Sequence, residues 1–150
     1  MKTGKISETE RFVQKLLNVL PGWHSKLVRP LKDGLNREMS LETYYCLETL
    51  KLCGPVTMTE MSRQLKVPKQ QVTKLVDKLS GHHFIKRVYR EEDRRAIWIE
   101  LTPEAVDYLD GYYRKNRTFI QSLEEQLTKE ELKKLDQAVT ILGEILPKLK

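Results

Sequence analysis

The 150-residue sequence predicts a mainly helical α+β fold with one small β-hairpin, and three observations carry that prediction. Apolar residues recur at steps of three and four through most of the chain, the period of a helix with one buried face. Two short helical stretches meet at Val67-Pro68, where the residue before a proline is pushed out of the helical region. Two β-branched and aromatic runs follow, Ile85-Lys86-Arg87-Val88-Tyr89-Arg90 and Ala96-Ile97-Trp98-Ile99-Glu100-Leu101, with the period-two alternation of strands. Helix, turn, helix and hairpin in that order make a winged helix-turn-helix, whose second helix fits a DNA major groove.

Residues 7–35 form the first helical region. Ser7 and Glu10 make a capping box, and Phe12, Val13, Leu16, Leu17 and Leu20 give an apolar stripe that resumes at Trp23, Leu27, Val28 and Leu31. Pro21 should kink or split this helix, and Pro30 offers a second break. Residues 32–39 read as a polar connector containing Gly34. Ser40 then caps a helix with Leu41, Tyr44, Tyr45, Leu47, Leu50 and Leu52, apolar on more than one side and so expected to be largely buried. Gly54-Pro55 stops it.

Thr57 and Glu60 make a second capping box, opening a short helix with Met58, Met61 and Leu65 on one face. Pro68 can serve as the first residue of the next helix, where a missing N–H costs nothing. That helix places Val72, Leu75, Val76 and Leu79 on one side, and Lys69, Gln70, Thr73, Lys74, Asp77 and Lys78 elsewhere. Glu91-Glu92-Asp93-Arg94-Arg95 is a connection of hairpin length between the two strands. After the hairpin, Thr102 caps a long helix with Pro103 in its first turn. Val106, Leu109, Tyr113, Asn116, Ile120, Leu123 and Leu127 form a heptad seam in it, and a buried Asn in such a seam fixes register. Thr128 and Glu131 cap a last helix carrying Leu132, Leu135, Val139, Leu142, Leu146 and Leu149, which Pro147 ends.

The net charge is +6, and its distribution says more than its total. Residues 68–90 carry six Lys/Arg against one acid, whereas residues 102–150 carry eight against nine. A basic excess confined to the helix-turn-helix and the first segment is the footprint of nucleic-acid binding. No run of about 18 apolar residues could span a membrane. The basic start Met1-Lys2-Thr3-Gly4-Lys5 lacks the apolar core of a signal peptide, so a cytoplasmic location is expected, in keeping with only two cysteines.

For contact with bases and phosphates the exposed start of the second helix is best placed: Lys69, Gln70, Gln71, Thr73 and Lys74. Glutamine can bond adenine bidentately, and lysine reaches guanine or a phosphate. Arg94 and Arg95, near the hairpin tip, suit a narrow electronegative minor groove.

Asp93-Arg94-Arg95, five further residues and Leu101-Thr102 resemble the wing signature of the MarR (multiple antibiotic resistance regulator) family. Residues 71–79 and Thr102-Pro103-Glu104-Ala105 are also similar to that family. The resemblance implies one MarR-type unit over residues 1–150. Its winged helix-turn-helix part would span 40–101, with the helix-turn-helix at 57–80, the wing at 85–101, and dimerisation helices at 1–35 and 102–150. It implies a homodimer on palindromic double-stranded DNA, regulating transcription as a repressor released by a small aromatic ligand or a stress signal. The effector would enter near Trp23, His24, Leu27, Tyr44 and Tyr45. In the family the arginine at Arg95 ties the wing to the aspartate at Asp77, and a glycine is usual where His83 stands. Here either His83 is left-handed or the turn is rebuilt around Gly81.

Two other readings use the same scaffold: a winged-helix module that binds protein instead of DNA, and a thiol-based redox switch. Cys46 and Cys53 lie about 10 Å apart along one helix, too far for a disulfide between them. His24, His82 and His83 show no metal-ligand spacing with either cysteine, and no catalytic grouping appears. Neither an enzyme nor a cofactor is expected.

Overall fold

The structure is a computed structural model that describes residues 4–35 and 39–150, and the chain divides into two compact units, Met1–Arg114 and Lys115–Lys150. In the first unit α1 (Glu8–Trp23) opens at Ser7, whose hydroxyl accepts from the N–H of Glu10 at 3.1 Å. The helix is not split at Pro21. Its backbone stays right-handed through a π-helical turn (His24–Val28) and into α2 (Arg29–Asp33). The Arg29 N–H reaches back five residues to the His24 carbonyl. That slip comes just before Pro30, which has no N–H to give and whose ring crowds the preceding turn. Widening therefore replaces the expected break. Within the connector, residues 36–38 lie outside the described residues.

In α3 (Leu41–Cys53), capped by Ser40 at 3.2 Å from the Thr43 N–H, only Thr43, Cys46, Leu47 and Leu50 are buried. Tyr45 is exposed and Leu52 is 85% exposed, which corrects the expectation of burial on several sides. Gly54, at φ +75°, turns the chain into β1 (Val56–Thr57). This strand escaped the sequence reading because two residues carry no detectable period.

The helix-turn-helix is α4 (Met58–Leu65) and α5 (Lys69–Gly81). Lys66 takes a left-handed conformation between them (φ 54°), the Lys66 N–H bonding Arg63 O and the Val67 N–H bonding Ser62 O. This is a Schellman motif, which satisfies the last carbonyls of a helix. Pro68 sits one residue before α5, at its N-cap. The far end of α5 repeats the motif: His83 has φ 62°, its N–H bonds Ser80 O at 3.0 Å, and the Phe84 N–H bonds Leu79 O at 2.9 Å. Of the two arrangements open to the sequence, the structure has the left-handed His83. A side chain there costs energy that glycine avoids. His83→Gly should therefore raise stability by up to about 1 kcal/mol, read as a higher midpoint in urea unfolding.

β2 (Ile85–Arg90) and β3 (Asp93–Leu101) form the hairpin, and β1 adds to its other side in the order β1-β3-β2. Val56 pairs with Ile99, and Ile85 with Leu101. Thr102 locks the hairpin's base to the end of α5: its N–H bonds Phe84 O at 3.1 Å and its hydroxyl bonds His83 O at 2.6 Å. The same hydroxyl accepts from the Ala105 N–H and so caps α6 (Pro103–Lys115). Met39, Leu47, Met61, Val76, Leu79, Ile99 and Leu109 are among the residues of a single core beneath these elements. The buried face of α6 is Ala105, Leu109 and Tyr112, while Val106 and Tyr113 of the expected seam are exposed. The reason is intrachain packing: Ala105 and Leu109 belong to the core under the hairpin.

The expected long helix is interrupted at Asn116, whose ψ of 23° departs from helical geometry. Asn side chains compete with the backbone for hydrogen bonds, so Asn116 marks a break and not the middle of a continuous seam. The second unit contains α7 (Arg117–Gln126), α8 (Lys129–Ile145) and a 3₁₀ turn (Leu146–Lys148) at Pro147. Thr128 and Glu131 form both halves of the capping box. No helix among the described residues is long and apolar enough to cross a membrane.

Candidate nucleic-acid interface

The two faces of α5 divide as their polarity requires. Val72, Leu75, Val76 and Leu79 are buried, while Lys69, Gln70, Thr73, Lys74 and Lys78 are exposed. Four of these exposed residues fall in the first half of the helix, the half that meets base edges in this motif. The Thr73 hydroxyl donates to Lys69 O at 3.0 Å. Gln71, grouped with them from the sequence, is only half-buried and differently engaged: its amide donates to Glu42 Oε2 at 2.7 Å, tying α5 to the start of α3.

The hairpin differs from its expected form at the tip. Asp93, Arg94 and Arg95 belong to β3, so the connection is Glu91-Glu92 alone. Arg94 is thus on the strand and not at the tip. The ladder is irregular here, since Tyr89 pairs with Ile97 but Arg90 with Asp93. Arg94 and Arg95 occupy the extra length of β3 between those pairs, and both are exposed. The Arg95 N–H donates to the Asp93 carboxylate at 3.1 Å, an Asx turn that explains the aspartate.

The expected Asp77–Arg95 ion pair is replaced. Asp77 is held by the guanidinium of Arg87, on β2. Arg87 is opposite Ile99 and on the same face of the ladder as buried Ile85, the face turned toward the helices; Arg95 lies beyond the regular ladder. On the other face Lys86 meets Glu100 at 3.0 Å, and the Arg90 guanidinium lies 3.7 Å from the centre of the Trp98 ring. The Trp98 indole N–H is buried without a hydrogen-bond partner.

A tyrosine network links α3 to α6. Tyr44 donates to Glu48 Oε1 at 2.7 Å, Tyr113 donates to the same oxygen, and Lys51 donates to the Tyr113 hydroxyl at 3.0 Å. The Tyr44 and Tyr112 rings are 5.0 Å apart, and the Tyr112 hydroxyl reaches Leu31 O. Burial, and then the Glu48 carboxylate, push the Tyr44 hydroxyl well above its ordinary pKa. Tyr44 is therefore committed to this network, while Trp23, His24 and Tyr45 are exposed and Leu27 is half-buried. A cleft of about 510 Å³ lies elsewhere, lined by Lys32, Asp33, Leu35, Met39, Ser40, Leu41 and Glu42. Sequence reasoning missed it because it depends on how α2 and α3 meet.

Cys46 is buried and Cys53 exposed, both as unpaired thiols. Burial pushes the Cys46 thiol up to about 12, and a thiol that holds its proton is a poor nucleophile. Between pH 9 and 12 the folded chain keeps this proton and the unfolded chain loses it, so stability falls as pH rises. Cys46→Ala should lessen that slope by about 1.4 kcal/mol per pH unit, measured by urea unfolding across the window.

Residues 39–97 match the MarR family. Over 120 residues the chain is 26% identical to the HTH-type transcriptional regulator YfiV of Bacillus subtilis, covering 80% of this chain and 75% of the relative. The fold is similar to that of the RV1404 protein from Mycobacterium tuberculosis, with a TM-score of 0.75 at 23% identity over 88% of this chain and 92% of that one. It is similar also to a mutant MarR from E. coli complexed with operator DNA, with a TM-score of 0.64 at 18% identity over 91% and 99% of the two chains.

Proposed function

We propose that this chain, which matches the MarR family over residues 39–97 and is similar to HTH-type transcriptional regulators, is a winged helix-turn-helix transcriptional regulator of that family and acts as a homodimer on a palindromic DNA operator. The observation that carries this reading is the exposed face of α5, where Lys69, Gln70, Thr73 and Lys74 stand on a helix whose other face is buried. Seated in the major groove, Gln70 reads a base and Lys69 and Lys74 meet phosphate or guanine. Arg94 and Arg95 reach for the minor groove beside it. The E. coli MarR complexed with operator DNA is a neighbour in fold and supports the choice of ligand.

The dimer is supported by apolar surface that one copy leaves in water. Phe12, Val13, Leu16, Leu17 and Leu20 are exposed along α1, and Leu135, Val139, Leu142 and Ile145 along α8. Stripes of that kind mark an interaction face. With two-fold symmetry the two recognition helices read half-sites about one turn apart. We read the regulation as repression, by a dimer whose operator overlaps the promoter and so blocks the polymerase, in the cytoplasm where the chromosome lies. A small aromatic ligand relieves it by disturbing the contacts between terminal helices and reading head, among which the Tyr44–Glu48–Tyr113 network is a direct link.

Selection from random duplex DNA, followed by an electrophoretic shift of the recovered sequence, tests the reading. Two half-sites at one-turn spacing are expected; a monomer at micromolar concentration that shifts no duplex would refute it. Gln70→Ala should relax the preference at one base pair per half-site by about 1–3 kcal/mol. An unchanged base preference would remove Gln70 from the reading head. Calorimetry with phenolic acids should show heat and release of the duplex; neither would count against the ligand.

A further inference from the structure

Three of the six basic residues in 68–90 are engaged inside the hairpin and its neighbours: Lys86 by Glu100, Arg87 by Asp77 and Arg90 by the Trp98 ring. Charge alone would assign all six to the duplex. Resting on the DNA-binding reading, we propose that Arg87 is a positioning residue, which sets the angle of the wing against α5 and does not meet the duplex itself.

The argument is geometric. Arg87 lies on the face of β2 that it shares with buried Ile85, opposite fully buried Ile99, so its side chain leaves the strand toward the helices. Its side chain is 33% exposed and its carboxylate partner, Asp77, is on α5 two residues before buried Leu79. The base of the hairpin is fixed by the Thr102–His83 and Thr102–Phe84 bonds. From that base the six residues of β2, at about 3.3 Å each, carry the tip roughly 20 Å away. Rotation by about 10° about such a base moves the tip by roughly 3–4 Å, more than a hydrogen bond can stretch. Asp77–Arg87 joins β2 directly to α5 part-way along this arm. Because both side chains are partly exposed, the pair adds little to stability, and its loss leaves the chain folded.

The test uses the full chain and the tightest-binding duplex recovered from a random double-stranded pool, titrated at several salt concentrations. Arg87→Ala should weaken binding about tenfold without changing the dependence of log affinity on log salt. A residue that meets phosphate, as proposed for Lys74, reduces that slope when removed. Asp77→Asn is the decisive variant, because it removes a negative charge beside the duplex. A purely electrostatic role for Arg87 predicts tighter binding by Asp77→Asn; the positioning role predicts weaker binding, again by about tenfold. Arg87→Lys, which keeps the charge but not the fork, should restore most of the affinity. The proposal is overturned if Asp77→Asn binds as tightly as the wild type, or if Arg87→Ala flattens the slope as Lys74→Ala does. A wild-type chain that binds no duplex overturns the DNA reading itself, and this proposal with it.

Discussion

Affinity for the operator should fall by about a thousandfold as salt rises from 50 to 200 mM, the expectation for a protein that neutralises six or more phosphates. The proposed dimer has the cations for this: Lys69, Lys74, Lys78, Arg94 and Arg95 are exposed on the helix face and the strand of the chain. Each released phosphate contact contributes about 0.9 to the slope of log affinity against log salt. Lys74→Ala removes one from each half of the dimer, so the slope should drop by about twice that figure, with affinity for all sequences reduced alike. Fluorescence anisotropy of labelled duplex over the salt series measures both quantities. A slope near zero would mean that the basic face of α5 is not the binding surface.

The largest effect on stability is expected from Leu79→Ala. Leu79 is fully buried near the end of α5, in the core cluster that also contains Ile85 and Ile99 of the hairpin and Leu109 of α6. Truncation loses the transfer energy of its methyl groups and leaves a cavity that the surrounding elements close only partly, a cost of about 2–5 kcal/mol. Single domains are stable by only about 5–15 kcal/mol, so a large share of the stability goes with one side chain. Urea unfolding should show the loss directly. Operator affinity should also fall, since the carbonyl of Leu79 holds the Phe84 N–H that starts the hairpin. Leu52→Ala is the control: that side chain is 85% exposed, and its loss should change stability by less than about 0.5 kcal/mol.

Local chemistry determined the parts of this protein that could be read without coordinates. Capping hydroxyls at Ser7, Ser40, Thr57, Thr102 and Thr128 each accept the expected backbone N–H, because a cap needs only residues three positions apart. The apolar stripe of α5, and with it the exposed polar face, follows from the helical period within thirteen residues. The helix-turn-helix and its wing were therefore legible from spacing alone, and with them the proposed readers Lys69, Gln70, Thr73 and Lys74. Tertiary structure decided what depends on residues far apart. The carboxylate of Asp77 pairs with Arg87 and not Arg95 because the ladder register puts Arg87 on the inner face. Gln71 bonds Glu42, across 29 positions, only because α3 and α5 meet. α6 turns Ala105 and Tyr112 inward because the core under the hairpin lies on that side. Side-chain period specifies that a helix has two faces; what packs against each face, and which charges remain for a partner, is set by the elements that fold against it.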